Sequence, residues 1–163
     1  MAVSKTKAAR ALIAAAKARQ FTLATAESCT GGLIAAAISA IPGASAALER
    51  GFVTYSNEAK TEMLGVPAEL IQRRGAVSQE VALAMVDGAL KHSRADIAVA
   101  VTGIAGPEGG SAEKPVGLVH IAAAKRGGAR LHEEHRFGDV GRAKVQAESV
   151  IAALALMQRL LDK

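Results

Sequence analysis

The stretch FTLATAESCTGGLIAAAISAI, residues 21–41, carries in succession the signals of a strand, a tight turn and a buried helix. Residues 21–26 alternate with β-branched side chains, which predicts a strand. Residues 27–32 contain two adjacent glycines and predict the turn. The apolar run over residues 33–41 is closed by Pro42-Gly43 and predicts a helix buried against a sheet. A strand that leads through a turn into a helix is typical of layered α/β domains.

The rest of the chain continues this alternation of strands and helices. We expect further strands over residues 51–56, 96–101, 116–124 and 129–137, and helices over residues 4–19, 44–49, 67–74, 78–92 and 141–161, with one more helix capped at Asn57. Gly127-Gly128 indicates a hairpin between the last two strands. The pattern predicts an α/β fold: a three-layer α/β/α sandwich with a mixed, mostly parallel five-stranded sheet. Since 163 residues suit one domain, we expect a single domain over residues 1–163.

The charge is concentrated at the N-terminus. The net charge is +5, and the first twenty residues hold five basic side chains and no acidic one, so the remainder is neutral. On a helix over residues 4–19, Lys7, Arg10 and Lys17 lie opposite the apolar face formed by Ala9, Leu12, Ile13 and Ala16. This placement favours a solvated helix face over a nucleic-acid-binding surface.

Composition disfavours several classes of protein. A single cysteine excludes a disulfide framework and a cysteine-rich zinc site, and fits a reducing compartment. No apolar run approaches the roughly 18 residues of a membrane span. The N-terminus lacks the apolar core of a secretory signal, although its basic, acid-free character leaves an organelle presequence open. We therefore expect a cytoplasmic protein that does not associate with membranes.

The predicted turn Glu27-Ser28-Cys29-Thr30-Gly31-Gly32 is the first candidate site. Sites of open α/β sheets lie where strands end. A hydroxyl or thiol held there, beside glycines that leave backbone N–H groups accessible, is consistent with a nucleophile and its oxyanion hole. The same residues could cradle a phosphate at a helix N-terminus. An ordinary strand-to-helix turn with Thr30 as N-cap is the third interpretation.

Two further loops follow predicted strands. Lys60 lies near a helix start, where the helix dipole disfavours a positive charge, so it could serve as the base for a serine nucleophile or could be a surface lysine. The segment from Thr102 to Gly110 is rich in glycine, as expected for close approach to a ligand or for a tight turn. The four histidines, 92, 120, 132 and 135, lack a strong metal-ligand spacing, and no metal site is predicted.

Taken together, these segments resemble the CinA C-terminal domain family, whose stand-alone members are nicotinamide-nucleotide amidases. The resemblance lies in seven segments that occur in order over about 100 residues: AESCTGGLIA (26–35), IPGAS (41–45), GFVTYSNEAK (51–60), LGV (64–66), GAVSQEVA (75–82), AVTGIAGPEGG (100–110) and KPVGLVHIA (114–122).

This resemblance implies an enzyme that hydrolyses the carboxamide of nicotinamide mononucleotide to nicotinic acid mononucleotide and ammonia, without metal or cofactor. It implies that Ser28 is the nucleophile, that Lys60 is its base and that Thr102 belongs to the catalytic group. Substrate-binding residues implied by it are Cys29, Thr30, Gly31, Gly32, Tyr55, Asn57, Gly103 and Arg142. The oxyanion would be held by N–H groups around residues 30–32 or at Gly103.

The chain departs from the family pattern after its last strand. The family has Phe-x-Gly-Asp-Arg and then a second basic residue in the helix. Here the residues are Phe137-Gly138-Asp139-Val140-Gly141-Arg142, and the second basic position is Gln146. We expect Arg142 to replace the family arginine through a shift of one residue. Many relatives carry a larger preceding domain, and its absence here favours a free-standing amidase.

Other functions remain as alternatives. One is an amidase for another small amide. A different class is a nucleotide-binding or DNA-transaction accessory protein without amidase activity. We expect a small nucleotide substrate rather than nucleic acid as the partner, and a homo-oligomer, because alanine-rich helix faces can pack between subunits.

Overall fold

A computed structural model describes residues 4–163 and confirms the predicted α/β architecture. The helices are α1 (Lys5–Arg19), α2 (Leu33–Ser39), α3 (Asn57–Leu64), α4 (Ala68–Arg74), α5 (Gln79–Lys91) and α6 (Arg142–Leu161), and a short 3₁₀ helix covers Ala44–Ala46. The strands are β1 (Leu23–Glu27), β2 (Leu48–Val53), β3 (Ile97–Gly103), β4 (Leu118–Lys125) and β5 (Arg130–Arg136). None of the helices in this range is long and apolar enough to span a membrane.

The five strands form one mixed sheet in the order β2-β1-β3-β4-β5. Strand β1 lies between β2 and β3 and is parallel to both. Strand β4 runs antiparallel to β3 and to β5, so four of the five strands point the same way. The carboxyl ends of β1, β2 and β3 therefore meet at one edge of the sheet, which is where α/β proteins place their sites.

Helices cover both faces of the sheet and create two apolar cores. Helices α1, α2 and α6 pack on one face, and α3, α4 and α5 are grouped on the other. The central strand β3 is buried from Ile97 to Thr102, as its uninterrupted apolar sequence predicts for a strand covered on both faces. Alanines fill much of both cores and let the helices approach the sheet closely.

The N-terminal helix has the orientation predicted from its periodicity. Its buried residues are Ala9, Leu12, Ile13 and Ala16, whereas Lys7, Arg10 and Lys17 are exposed. The basic excess of the chain thus lies on a solvated helix face, as expected.

Two local predictions around β2 are wrong. The predicted helix over 44–49 stops at Ala46, and the strand predicted over 51–56 occupies Leu48–Val53 instead. Pairing with β1 begins at Leu48 opposite Leu23, so the parallel ladder overrides the helix propensity of the alanines.

The cap of α3 also differs from the prediction. Ser56, not Asn57, caps the helix, and its Oγ accepts a hydrogen bond from the Ala59 N–H at 3.0 Å. Serine and asparagine are both good N-caps. Because the two residues are adjacent here, the sequence did not decide which of them precedes the first helical residue.

The apolar face predicted for α6 needs a smaller correction. Val150, Leu154 and Leu161 are buried, Ile151 is half-buried, and Ala147 is exposed. Val145 and Ser149 take inward positions on the first turns instead.

Candidate active site

Ser28 follows the last residue of β1 and lies at the carboxyl edge of the sheet. Its N–H donates to the Val101 carbonyl of β3 at 3.0 Å, which fixes the start of the turn against the neighbouring strand. The Ser28 side chain is 8% exposed, so its hydroxyl is accessible only through a narrow opening.

The turn after Ser28 is held by the buried side chain of Glu27. Its Oε1 accepts hydrogen bonds from Thr30 Oγ1 at 2.6 Å and from the Ile34 N–H at 2.8 Å, and its Oε2 accepts one from the Ala35 N–H at 3.0 Å. A carboxylate thus already occupies the N-terminus of α2. The N–H groups of Ile34 and Ala35 are therefore not free to bind a phosphate, which counts against the interpretation of this turn as a phosphate cradle.

Lys60 reaches the same point from the first turns of α3. Its Nζ lies 2.9 Å from Ser28 Oγ, 3.0 Å from the Thr54 carbonyl oxygen and 3.2 Å from that of Tyr55. The side chain is 1% exposed. The surface-lysine interpretation is therefore wrong, and the serine and the lysine, 32 residues apart, are within hydrogen-bond distance.

Close helix packing fixes Lys60 in this position. Helix α3 lies against α5 at Gly88, where a Cβ would stand 2.0 Å from the Leu64 carbonyl oxygen. No side chain larger than that of glycine fits there without moving a helix. The contact holds the backbone of α3, and with it Lys60, against the core.

Burial lowers the pKa of Lys60 below its ordinary value of 10.5. None of the ion pairs among residues 4–163 involves this lysine. Its three polar neighbours are two carbonyls and a hydroxyl. A neutral amine has two N–H groups and one lone pair, and this set of neighbours matches that requirement because the hydroxyl can donate.

A cavity of about 260 Å³ opens above the pair. Eight of the residues predicted for the site line it: Ser28, Cys29, Tyr55, Asn57, Lys60, Thr102, Gly103 and Arg142. The lining also includes Ile104 to Gly106 from the glycine-rich segment that the sequence indicated, and the structure adds Ala76 and Val77 before α5, which had no sequence signal. The volume lies near the lower end for a small-molecule site.

Thr102 and Gly103 form the wall on the β3 side. Thr102 Oγ1 donates to the Ala76 carbonyl at 2.8 Å and so ties the loop before α5 to the strand. A Cβ on Gly103 would lie 2.7 Å from the Val119 side chain and 2.9 Å from the Leu118 carbonyl oxygen. The glycine is required here by the close approach of β4.

Arg142, the first residue of α6, stands at the mouth of the cavity. Its guanidinium donates to the Gly106 carbonyl at 2.8 Å and to the Tyr55 hydroxyl. Gln146, one turn further along, donates from Nε2 to the Cys29 carbonyl at 3.0 Å. The position where the family has a second basic residue thus supports the turn after Ser28.

Three predicted binding residues lie outside the cavity lining. Thr30 is 1% exposed and its hydroxyl is bound to Glu27. Gly31 and Gly32 follow it with φ angles of 59° and 109°, values that favour glycine. These residues shape the turn, and their contact with a ligand stays a prediction.

Two of the four histidines form a separate pair on the sheet. His120 Nδ1 lies 2.9 Å from His132 Nε2, with the rings stacked, and burial together with His132 lowers the pKa of His120. The sequence did not indicate this pair. Within residues 4–163 no three histidine, cysteine, aspartate or glutamate side chains are grouped so that they could hold a metal ion.

Comparison with known sequences identifies the family. The model of the CinA C-terminal domain matches residues 5–161. A nicotinamide-nucleotide amidohydrolase, PncC of Escherichia coli K12, is 52% identical over 91% of this chain and 90% of its own length. A putative competence-damage inducible protein of Symbiobacterium thermophilum is 51% identical over 88% of this chain. The chain spans only about a third, 35%, of that relative, and 33% of a CinA-like protein of Geotalea daltonii.

Solved structures share the same fold. The competence/damage inducible protein CihA from Agrobacterium tumefaciens superposes with a TM-score of 0.95 at 51% identity and full coverage of both chains. A CinA-superfamily protein from Escherichia coli gives a TM-score of 0.91 at 36% identity over 96% of this chain and 90% of that one.

Proposed function

The chain belongs to the CinA C-terminal domain family, and we propose that it is a nicotinamide-nucleotide amidase that works through a Ser28–Lys60 pair. The substrate is nicotinamide mononucleotide, and the products are nicotinic acid mononucleotide and ammonia. One observation carries the proposal: a buried lysine that forms no ion pair within residues 4–163 lies 2.9 Å from a serine hydroxyl at the carboxyl edge of an α/β sheet. The similarity to the E. coli amidohydrolase supports the choice of substrate.

The first half of the reaction forms an ester on Ser28. Neutral Lys60 accepts the Ser28 hydroxyl proton while Oγ attacks the carboxamide carbon. The tetrahedral intermediate collapses with cleavage of the C–N bond, and Lys60 returns the proton to the departing nitrogen, which leaves as ammonia. Thr54 and Tyr55 hold the amine throughout, since both carbonyls accept from Nζ.

The second half releases the acid. Lys60 accepts a proton from a water molecule, whose oxygen attacks the ester carbon and displaces Ser28 Oγ. The serine recovers its proton from Lys60, and the carboxylic acid formed releases its own proton to solvent and leaves as the carboxylate. Burial lowers the pKa of Lys60, so a larger fraction of the amine is in the unprotonated form that both halves of the reaction require.

The oxyanion would be held by backbone N–H groups that line the cavity. Ser28 is not a donor, since its N–H is bound to Val101. Ile104 is excluded for the same reason, since its N–H is bound to the Leu118 carbonyl oxygen at 2.9 Å. Cys29, Ala105 and Gly106 also line the cavity, and their N–H groups are the remaining candidates. Each such donor contributes about 3 kcal/mol of transition-state stabilisation.

Ser28 is a better nucleophile here than its neighbour Cys29. Burial raises the pKa of the Cys29 thiol to about 12, so the thiolate, the reactive form, is scarce. Lys60 Nζ is hydrogen-bonded to the serine oxygen.

The substrate phosphate would bind at the mouth of the cavity. Arg142 is the charged donor there, and it sits at an α6 N-terminus where no side chain caps the helix. Tyr55 and Asn57 also line the cavity, and the Tyr55 hydroxyl accepts a hydrogen bond from the arginine.

A homo-oligomer and a cytoplasmic location complete the proposal. Leu33, Val53 and Tyr55 are 41%, 47% and 55% exposed, and Val53 ends the edge strand β2. Both edge strands carry charged side chains, which discourage strand pairing, but β2 has only Glu49 and Arg50, whereas β5 has Arg130, Glu133, Glu134 and Arg136. We therefore place a subunit contact on the β2 side. A free, buried Cys29 fits a reducing compartment.

The proposal is tested by incubating the purified protein with nicotinamide mononucleotide and measuring ammonia and nicotinic acid mononucleotide. Ser28→Ala should remove the activity. Free nicotinamide and nicotinamide riboside in parallel assays distinguish a nucleotide amidase from an amidase of broader range. A fully active Ser28→Ala protein would refute the mechanism. Absence of turnover together with salt-sensitive DNA binding would favour the accessory-protein alternative.

A further inference from the structure

We propose that Glu27 is a positioning residue: its carboxylate fixes the turn that carries Ser28, so that Oγ stays within reach of Lys60 Nζ. The residue touches neither the cavity nor Lys60, and it is not required by the acyl-transfer steps above. The inference rests on the proposed Ser28–Lys60 chemistry, and the experiment below separates the two.

Every polar contact of the Glu27 side chain is directed to the segment after Ser28. The side chain is 0% exposed, and both of its oxygens accept hydrogen bonds, from Thr30, Ile34 and Ala35. Burial of a carboxylate is costly unless several donors surround it. The helix N-terminus provides these donors together with a favourable dipole.

Apart from Glu27, the turn is held by the Gln146 amide on the Cys29 carbonyl and by backbone hydrogen bonds of Ser28 and Gly31. Gly31 and Gly32 both have positive φ angles. Gly32 is the N-cap residue that precedes α2, and it has no side chain that could cap the helix. Glu27 replaces that cap from the strand side. Glu27 therefore links the end of β1 to the start of α2, and Ser28 lies in the turn between them.

The Glu27 backbone connects this support to Lys60. Its carbonyl oxygen accepts a hydrogen bond from the Thr54 N–H at 2.8 Å, and the Thr54 carbonyl in turn accepts one from Lys60 Nζ at 3.0 Å. One residue thus anchors the Ser28 turn through its side chain and the lysine-binding segment through its backbone. A displacement of about 1 Å between reacting groups can cost about 100-fold in rate.

The test uses Glu27→Gln. The amide keeps the size of the side chain but has one oxygen, so one of the three donors loses its acceptor. With nicotinamide mononucleotide we expect kcat to fall about 10- to 100-fold while KM changes less than about threefold. The second-order rate of Ser28 modification by a fluorophosphonate should fall by a similar factor, at a temperature where circular dichroism shows both proteins folded.

Asp96→Asn is the matched control. Asp96 is a carboxylate at the opposite edge of the sheet, and it accepts the Thr22 N–H at 2.8 Å. This variant should lose stability but keep the fluorophosphonate rate within about twofold. If Glu27→Gln does not fold, Thr30→Val removes only the 2.6 Å contact and should lower the rate about three- to tenfold.

The outcomes are distinguishable. Modification of Glu27→Gln, or of Thr30→Val where it replaces that variant, at the wild-type rate would overturn the positioning role. A wild-type protein that is modified at Ser28 in a Glu27-dependent manner but leaves nicotinamide mononucleotide intact would support the positioning role and refute the proposed substrate.

Discussion

Glu27 and Lys60 are an acid and a base that are both buried, yet their surroundings differ. Glu27 is 0% exposed and its oxygens accept from two helix N–H groups and a hydroxyl. Lys60 is 1% exposed and meets only two carbonyls and a hydroxyl. The first environment consists of hydrogen-bond donors to the Glu27 oxygens, whereas the second matches the donors and the lone pair of a neutral amine. The partners of a buried ionisable group, rather than its burial, decide whether it supports the fold or performs chemistry.

The largest effect on activity is expected for Lys60→Met, which tests the contrast between the two buried residues. Loss of the base should lower kcat at least about 10⁴-fold. The free energy of unfolding at pH 7 should stay equal or rise by about 1 kcal/mol, because an amine that must lose its hydration is removed. Ammonia release and urea unfolding measure the two quantities.

Two further variants serve as controls for Lys60→Met. Lys91→Met, at an exposed lysine, should be neutral in both assays. Glu27→Gln should reduce stability, opposite in sign to Lys60→Met. A Lys60→Met protein with a tenth of the wild-type rate would exclude the lysine as the base.

The pH dependence gives the next largest effect. Because burial lowers the pKa of Lys60 below 10.5, kcat/KM should rise about tenfold per pH unit until that lowered pKa is reached, and then level off. Between the folded-state and the unfolded-state pKa the unfolded chain binds more protons, so stability also rises with pH in that window.

Lys60→Met supplies the reference for the stability measurement, since it should lack this rise. Activity that is flat from pH 5 to pH 9 would contradict a titrating base with a lowered pKa.

A smaller effect is expected at an exposed cation. Arg142→Ala should raise KM for nicotinamide mononucleotide about tenfold and leave kcat within about threefold, because a charge-assisted contact to the phosphate is lost. Nicotinamide riboside, which has no phosphate, is the matched substrate and should show no change in KM. Equal changes for both substrates would place the phosphate elsewhere.

The smallest effect is expected for Cys29→Ala. A thiol whose pKa burial raises to about 12 is protonated at neutral pH, so kcat should change less than about threefold. Iodoacetamide labelling followed by mass spectrometry should find the wild-type thiol slow to react. Loss of activity in Cys29→Ala with Ser28 intact would reverse the assignment of the nucleophile.

The sequence predicted the elements that local signals define. The strand, turn and helix over residues 21–41, the Ser78 cap of α5 and the buried strand β3 all follow from periodicity and turn residues. The approach of Ser28 and Lys60 was predicted through the family resemblance, whereas the residues alone left Lys60 open as a surface lysine; the structure brings the two side chains to 2.9 Å.

Long-range partners were beyond the reach of the sequence. In the sequence, Glu27 is simply the first residue of the predicted turn. The fold shows that its carboxylate accepts hydrogen bonds from the N-terminus of α2. Gln146 lies 117 residues from the carbonyl that it binds. The predicted start of β2 was wrong for the same reason. Pairing with β1 starts the strand at Leu48, whereas local propensity favoured a helix there.

The β4–β5 hairpin offers a practical opening for protein engineering. Lys125 at the end of β4 pairs with Ile97 at the start of β3, so the glycines at 127 and 128 lie at the sheet edge opposite the cavity. A Cβ on Gly127 would meet nothing within 4 Å, and exposed loop tips of this kind tolerate insertions. A reporter domain or an immobilisation tag spliced between the two glycines would leave the Ser28 edge facing free solution.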